Sequence, residues 1–514
     1  MYNKGPFAHW VPKPVMLLLM MIILFPMMAI SGSYTTIASD LYGAMSVYPE
    51  YISLAYYAGS IGMGLSIMIM MRVKMRFRSK DIIMACSLLL ALLSYMCGTT
   101  EDPRVLVVCS FLIGFLKMFP MIEILLPVMF MITPTGDRGK FYSVFYPLSI
   151  GFGQLSGYCF SSLVYNGSWE RPYILMTGLM LLITILSLIF QHNQRFSFKM
   201  PLHQIDWLSL MLLASSYMLL TYFFVFMKQQ AWFTSPYITG SLVLSLILFL
   251  LLIYRQKFLK RKMIHFECFS HKNVIHGTIL LLFMGIYLGS STAFSQFTLG
   301  ILGYNNLINA DINLWMLPGI VLAGIMASFG FKYQWPIKYY ISFGFICLFL
   351  HTLSLYLLIQ PQMDIRYLEY TMVIKGLGMA TLFIGIWFYT VLGLSQEKML
   401  GIMAVLIPIR SAISTAVGSA LVGWAIYQGQ WQSLSDISNY LDSGNIQDGM
   451  GIYQNINYNA MMASSKIVLG SLCWLIIPVL IFIFTHSYGN FNIRRIIMLR
   501  KMVRGNSIKG YKLS

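Results

Sequence analysis

The sequence repeats one pattern along its whole length: an apolar run about as long as a bilayer is thick, followed by a shorter polar segment. A helix needs about 20 predominantly apolar residues to cross the hydrocarbon core. Runs that meet this requirement lie at residues 14–33, 50–71, 82–98, 104–132, 142–164, 172–190, 207–227, 235–254, 276–299, 311–330, 339–360, 368–394, 399–427 and 461–484. The pattern predicts an all-α polytopic membrane protein with fourteen spans.

Composition excludes a soluble protein of this size. Apolar residues make up 58% of the chain and charged residues 10%, whereas soluble proteins average about 45–50% and 25%. The net charge of +18 would suggest a nucleic-acid partner in a soluble protein. Here we expect no nucleic acid, because the basic residues sort by membrane side. The first run follows Lys13 without a small-residue cleavage site, which indicates a retained helix.

The basic residues predict the orientation. With the N-terminus in the cytoplasm, 27 of the 35 Lys and Arg residues fall in cytoplasmic segments and 4 in outer loops. Lys and Arg concentrate on the cytoplasmic side of membrane proteins. We therefore expect a multi-pass protein of the inner (plasma) membrane with both termini cytoplasmic.

The chain carries an internal echo. Gly139 is followed by Pro147, and Gly401 by Pro408, each pair at the start of a span after a short cytoplasmic loop. Such an echo is typical of two related halves. The predicted organisation is an N-terminal six-span bundle, two extra central spans, a C-terminal six-span bundle and a basic cytoplasmic tail, at residues 1–191, 192–262, 263–485 and 486–514.

Four charged side chains lie deep inside predicted spans: Glu123, Lys117, Lys375 and Arg410. Each costs at least a few kcal/mol in hydrocarbon, so each needs a protein partner, a hydrated path or a substrate. Lys466 is shallow enough to reach the surface. We interpret Glu123 as the candidate for proton coupling and the three deep cations as candidates for binding substrate or for coupling. A structural ion pair between Glu123 and a cation is the alternative.

Lys117 and Glu123 are six residues apart, about 240° around a helix axis. They therefore occupy different faces, and each needs a partner from another span. Pro120 and Pro127 flank Glu123 and predict a kink that frees carbonyl groups to line a cavity.

Several kinds of site are missing from the pattern. The sequence has no glycine-rich phosphate loop of the Walker type, no histidine pair at metal-binding spacing and no nucleophile elbow. We therefore expect no catalytic residues, no metal, no cofactor and no ATP-driven step, and hence a protein that is not an enzyme.

Motifs along the chain resemble those of the major facilitator superfamily, and specifically of its fourteen-span drug:proton antiporter branch, the EmrB/QacA type. The second half matches better than the first. The similar segments are Thr36–Leu41, the basic loop Arg72–Lys80, the Gly-Phe-Gly-Gln-Leu-Ser-Gly run Gly151–Gly157, Asp206–Ser209, Lys375–Gly378 and Arg410.

The resemblance implies two six-helix bundles that open alternately to each side of the membrane around a small-molecule substrate, driven by protons. It implies a cytoplasmic gating loop at Arg72, Arg76 and Arg78, and an antiporter-motif hinge at Gly151, Gly153, Gln154 and Gly157. Relatives of this type also work with a periplasmic adaptor and an outer-membrane channel.

The chain departs from the family where protons are usually carried. The first-span acid would fall near Pro26 and the fourth-span arginine near Ser110. Glu123, with Lys117 nearby in sequence, is our candidate for the missing role. The expected function is proton-coupled efflux of amphipathic or lipophilic compounds. The alternatives are a transporter of a specific anionic metabolite or siderophore and, more remotely, a membrane-embedded enzyme or lipid-handling scaffold.

Overall fold

The computed structural model describes residues 6–132, 138–193, 201–259, 262–361, 363–394, 396–439 and 449–491. The basic tail beyond residue 491 lies outside the described residues. The helices of the N-terminal part are α1 Lys13–Ala29, α2 Ala38–Met45, α3 Pro49–Arg76, α4 Ser79–Thr99, α5 Pro103–Ile132, α6 Arg138–Tyr165, α7 Arg171–Phe190, α8 Trp207–Phe226 and α9 Pro236–Phe258.

The helices that follow are α10 Lys272–Leu288, α11 Ser290–Ser295, α12 Asn306–Leu314, α13 Met316–Lys332, α14 Ile337–Leu358, α15 Ile365–Thr390, α16 Gln396–Pro408, α17 Ser414–Ser438, α18 Gly449–Trp474 and α19 Ile476–Phe484. Each predicted span contains at least one helix, although α1 ends at Ala29, before the end of its predicted span. A π-helical turn, Ile409–Ile413, joins α16 to α17.

Twelve helical segments within the described residues are long and apolar enough to cross a membrane, so the chain is a multi-pass membrane protein. Two predicted spans are not among the twelve. Helix α1 has only 17 residues, and the apolar residues of α6 are interrupted by tyrosines, serines, glycines and Gln154. The count of fourteen therefore stays a prediction.

Close helix contacts recur in the two halves. A Cβ atom on Gly114 of α5 would overlap the carbonyl oxygen of Gly59 in α3. In the second half, a Cβ on Gly376 of α15 would overlap the carbonyl oxygen of Met316 in α13. Glycine allows such backbone contact between membrane helices. In each half, the fourth predicted span thus packs on the second.

The halves meet along two seams. Helix α3 packs against α16, where Gly64 faces Pro408, and α6 packs against α13, where Gly324 faces Pro147. A Cβ on Gly324 would come within 2.7 Å of the Pro147 ring. Both prolines of the sequence echo therefore contact glycines of the opposite half.

Helices α8 and α9 form a hairpin beside α3. Asp206 caps α8 by accepting a hydrogen bond from the backbone N–H of Ser209 (3.3 Å), and it pairs with Arg255 of α9 (3.0 Å). Burial acts to raise the pKa of Asp206, but hydrogen bonds from Arg255 and Ser209 outweigh it and lower this pKa. The Asp-Trp-Leu-Ser segment is thus a helix cap that also joins the two helices.

Candidate functional site

Glu123 lies at the end of the bundle where the basic loop begins, and not among the deep cations. Its carboxylate accepts hydrogen bonds of 2.7 Å from Lys74 Nζ and from Ser79 Oγ, and the residue is 1% exposed. The three side chains tie α5 to α3 and α4. Proton coupling at Glu123 stays a prediction.

Lys117 contacts the C-terminal end of α1. Its ammonium group donates a hydrogen bond to the carbonyl oxygen of Ile30 (2.9 Å), directly after the end of α1. The last carbonyl groups of a helix have no partner within it, so they can accept from a side chain. As predicted, Lys117 and Glu123 face different helices.

Lys375 occupies the corresponding place in the second half, although it contacts a side chain and not a backbone carbonyl group. It donates to Ser291 Oγ (2.9 Å), two residues after Gly289 separates α10 from α11, and it lies 6.0 Å from the ring centroid of Phe294. Both lysines lie on the fourth predicted span of their half and reach an interruption in the first span. The sequence alone places Lys117 and Lys375 on the fourth predicted span of their halves. It does not show that the helix of the first span is interrupted in each half.

Arg410 lies in the π-helical turn between α16 and α17 and faces aromatic rings. Its Cζ atom is 4.6 Å from the ring centroid of Phe383 and 5.2 Å from that of Trp387. Tyr146, on α6 of the first half, belongs to the same buried cluster as these two rings. Single-residue insertions of this kind in helices are frequent at functional sites.

The three deep cations have no carboxylate partner in the part of the chain that the structure describes. The ion pairs there are Lys74–Glu123, Arg255–Asp206 and Lys262–Glu267. Because Glu123 is held by Lys74, it does not neutralise Lys117, Lys375 or Arg410. The interior therefore carries an excess of positive charge.

The predicted gating loop is partly buried. Arg76 is exposed, whereas Nη1 of Arg72 and Nε of Arg78 are buried and have no hydrogen-bond partner within the described residues. Lys74 and Ser79, which donate hydrogen bonds to Glu123 of α5, lie in the same segment as these arginines. Sequence reasoning missed Lys74, because it lies three residues beyond the apolar run that ends at residue 71, although still within α3.

The glycines of the predicted hinge have different surroundings. A Cβ on Gly151 would approach Leu317 of the second half at 3.1 Å, and one on Gly157 would approach Thr36 at 2.7 Å. Gly153 has no atom within 4 Å of such a Cβ, and Gln154 is half-buried. Among Gly151, Gly153 and Gly157, only Gly151 would contact the second half through a Cβ atom. The role of this segment as a hinge stays a prediction.

No protein-family model matches the chain, and no curated protein matches it. Solved structures do match over nearly the whole length. The nucleoside transporter NupG is 12% identical, with 92% of this chain and 100% of that chain covered and a TM-score of 0.55.

Two further transporters match in the same way. A bacterial homologue of the human lysosomal transporter Spinster is 13% identical, with 92% and 97% covered and a TM-score of 0.53. The major facilitator superfamily proton:xylose symporter XylE is 12% identical, with 95% and 98% covered and a TM-score of 0.50. These matches do not single out the fourteen-span branch. The chain has the fold of the major facilitator superfamily of transporters.

Proposed function

We propose that the protein is a secondary active transporter whose two halves open alternately to the two sides of the membrane. The two seams between the halves, α3 with α16 and α6 with α13, support this proposal, because both join one half to the other. In this proposal the chain spans an inner membrane fourteen times, with both termini cytoplasmic. Helices α8 and α9 are then the extra central pair.

The substrate that these charges favour is a small organic anion. One observation carries this choice: Lys117, Lys375 and Arg410 lie within the membrane-spanning helices without a carboxylate partner among the described residues. An unpaired buried charge is costly, and a bound anion offsets that cost. Structures of transporters for nucleosides and xylose share the fold, so the fold itself leaves the substrate open.

Export of amphipathic compounds is the second candidate. The rings of Phe383 and Trp387 beside Arg410, and the stacked rings of Phe25 and Phe152 at 3.8 Å, favour lipophilic ligands. Proton coupling through Glu123 belongs to either candidate. An adaptor and an outer-membrane channel would accompany only the export of such compounds.

Transport by purified protein in proteoliposomes tests the proposal. A panel of organic anions, their neutral esters and lipophilic cations is offered with and without a pH gradient. We expect uptake of anions, stimulated by the gradient, and competition only by other anions. If the protein takes up lipophilic cations and anions neither enter nor compete, the choice of an anionic substrate is refuted.

Matched lysine variants sharpen this test. Lys117→Gln and Lys375→Gln remove deep cations, whereas Lys466→Gln removes a cation that lies 5.6 Å from the ring of Tyr356, near the end of the last span. We expect each deep variant to lower anion transport about tenfold, the value of one charged hydrogen bond, and the control to transport normally. Equal effects of all three would contradict a specific role for the deep cations.

A further inference from the structure

The side chains around Arg410 indicate what kind of ligand the protein binds. This inference rests on the proposed transport function. Arg410 comes from the second half, and it faces Phe383 and Trp387 of α15. Tyr146 of α6 packs in the same buried cluster as both rings, and α3, which carries Tyr56, packs against the π-helical turn that carries Arg410. Both halves therefore contribute to this cluster.

The cluster offers hydrogen-bond donors that have no acceptor. Nε of Arg410 and Nε1 of Trp387 are both buried, and neither has a hydrogen-bond partner among the described residues. Trp387 is only 2% exposed. The guanidinium and the indole N–H can only donate, so each of these groups needs an acceptor. A buried donor without an acceptor has lost its hydrogen bonds to water without replacement, so a ligand with acceptor oxygens is favoured there.

The rings determine what else the site can hold. Phe383 and Trp387 are four residues apart on α15, so their side chains lie on one face of the helix. Arg410 lies over both rings, which stabilises its charge and leaves the edges of its guanidinium to bind an anion. Tyr56 of α3 is 38% exposed, so the protein does not fully cover its ring.

We propose that this cluster, defined as Arg410, Trp387, Phe383, Tyr146 and Tyr56, is the binding site for an aromatic carboxylate. The carboxylate accepts hydrogen bonds from Arg410 and from the indole N–H of Trp387, and the flat ring of the ligand packs on the aromatic side chains. Because the five residues come from both halves, the ligand contacts both bodies that move during transport.

Binding to the purified full-length protein in nanodiscs tests the site. The probe is 2-naphthoate, measured by calorimetry and by quenching of tryptophan fluorescence, with methyl 2-naphthoate and cyclohexanecarboxylate as matched ligands. We expect the ester and the non-aromatic acid each to bind at least tenfold more weakly. Equal affinity for the ester would refute the carboxylate contact, and equal affinity for the cyclohexane acid would refute the aromatic contact.

Variants assign the contacts to residues. Arg410→Lys keeps the charge but loses the planar fork, and we expect at least tenfold weaker binding. Trp387→Phe keeps a ring and removes the N–H donor, and we expect a loss of about fivefold together with part of the fluorescence quenching. Lys466→Gln is the control and should bind normally. If Arg410→Lys fails to fold, the Trp387→Phe variant alone tests the site. Unchanged binding of 2-naphthoate to that variant would refute the site.

The outcomes separate this site from the transport proposal. Binding of 2-naphthoate that depends on Arg410, in protein that transports no anion, would support the site and refute the transport function. If Arg410→Lys and Trp387→Phe both transport anions at the wild-type rate, the transport function stands and the site is refuted.

Discussion

At the scale of single residues, Glu123 depends on a lysine that lies beyond the apolar part of its helix. The carboxylate of Glu123 accepts hydrogen bonds from Lys74 and Ser79, so it joins α5 to α3 and α4. The apolar run of α3 ends at residue 71, but the helix continues to Arg76 and includes Lys74. A long lysine side chain can reach back along its helix, so the end of an apolar run does not limit which charges meet.

The Lys74–Glu123 pair makes the first prediction. Glu123→Gln leaves the Lys74 ammonium without this carboxylate, and breaking a buried ion pair costs about 3–5 kcal/mol. We expect the variant to unfold at lower temperature in nanodiscs. Lys74→Met combined with Glu123→Gln should recover most of the loss, because the buried charge is then removed as well.

The same variants decide the role of Glu123. If it carries protons, transport by Glu123→Gln and by the double variant should no longer respond to a pH gradient. If the double variant regains both stability and the response to the gradient, the pair is structural and the coupling proposal is wrong. Wild-type stability in the single variant would contradict the ion pair itself.

At the scale of helices, the apolar pattern predicted where helices form but not how they meet. Helix α5 runs without interruption through Pro120 and Pro127, whereas α1 ends at Ala29 inside its predicted span. Both prolines of the sequence echo contact glycines of the opposite half, yet the tightest contacts within each half involve other glycines, such as Gly114 and Gly376. A glycine shows where close approach is possible, and only the packing shows which helix approaches.

The Gly114 contact makes the second prediction. In Gly114→Ala the new methyl group would overlap the backbone of Gly59, which cannot rotate away, so α3 and α5 must separate. Overpacking of this kind costs about 1–3 kcal/mol or more. We expect a lower unfolding temperature and lower yield of folded protein.

Gly178 supplies the matched control. It lies on the exposed face of α7, and a Cβ there has no atom within 4 Å. Gly178→Ala should therefore leave stability equal to or above that of the wild type, since alanine favours helix more than glycine does. A loss in Gly178→Ala as large as that in Gly114→Ala would show that helix contact is not the cause.

At the scale of the whole molecule, the halves touch at both ends of the bundle. On the predicted outer side, Asn306 of α12 donates hydrogen bonds to Asp40 Oδ2 (2.7 Å) and to Ser39, both in α2. On the predicted cytoplasmic side, Gly139 of α6 faces the ring of Phe331 in α13. Alternating access requires each of these contacts to part in turn.

The third prediction concerns the outer contact, where the side chains of Ser39 and Asn306 touch. With both replaced by cysteine, we expect a bifunctional methanethiosulfonate reagent to join the halves through the two new thiols, since the contact between Ser39 and Asn306 shows that these positions are close. Transport should then stop, and a reducing agent, which cleaves the disulfides to the reagent, should restore it. Each single cysteine variant, treated with the same reagent, is the control for the seven native cysteines. If the crosslinked protein transports at the rate of the reduced protein, the halves do not separate at this end, and alternating access through Asn306 and α2 is wrong.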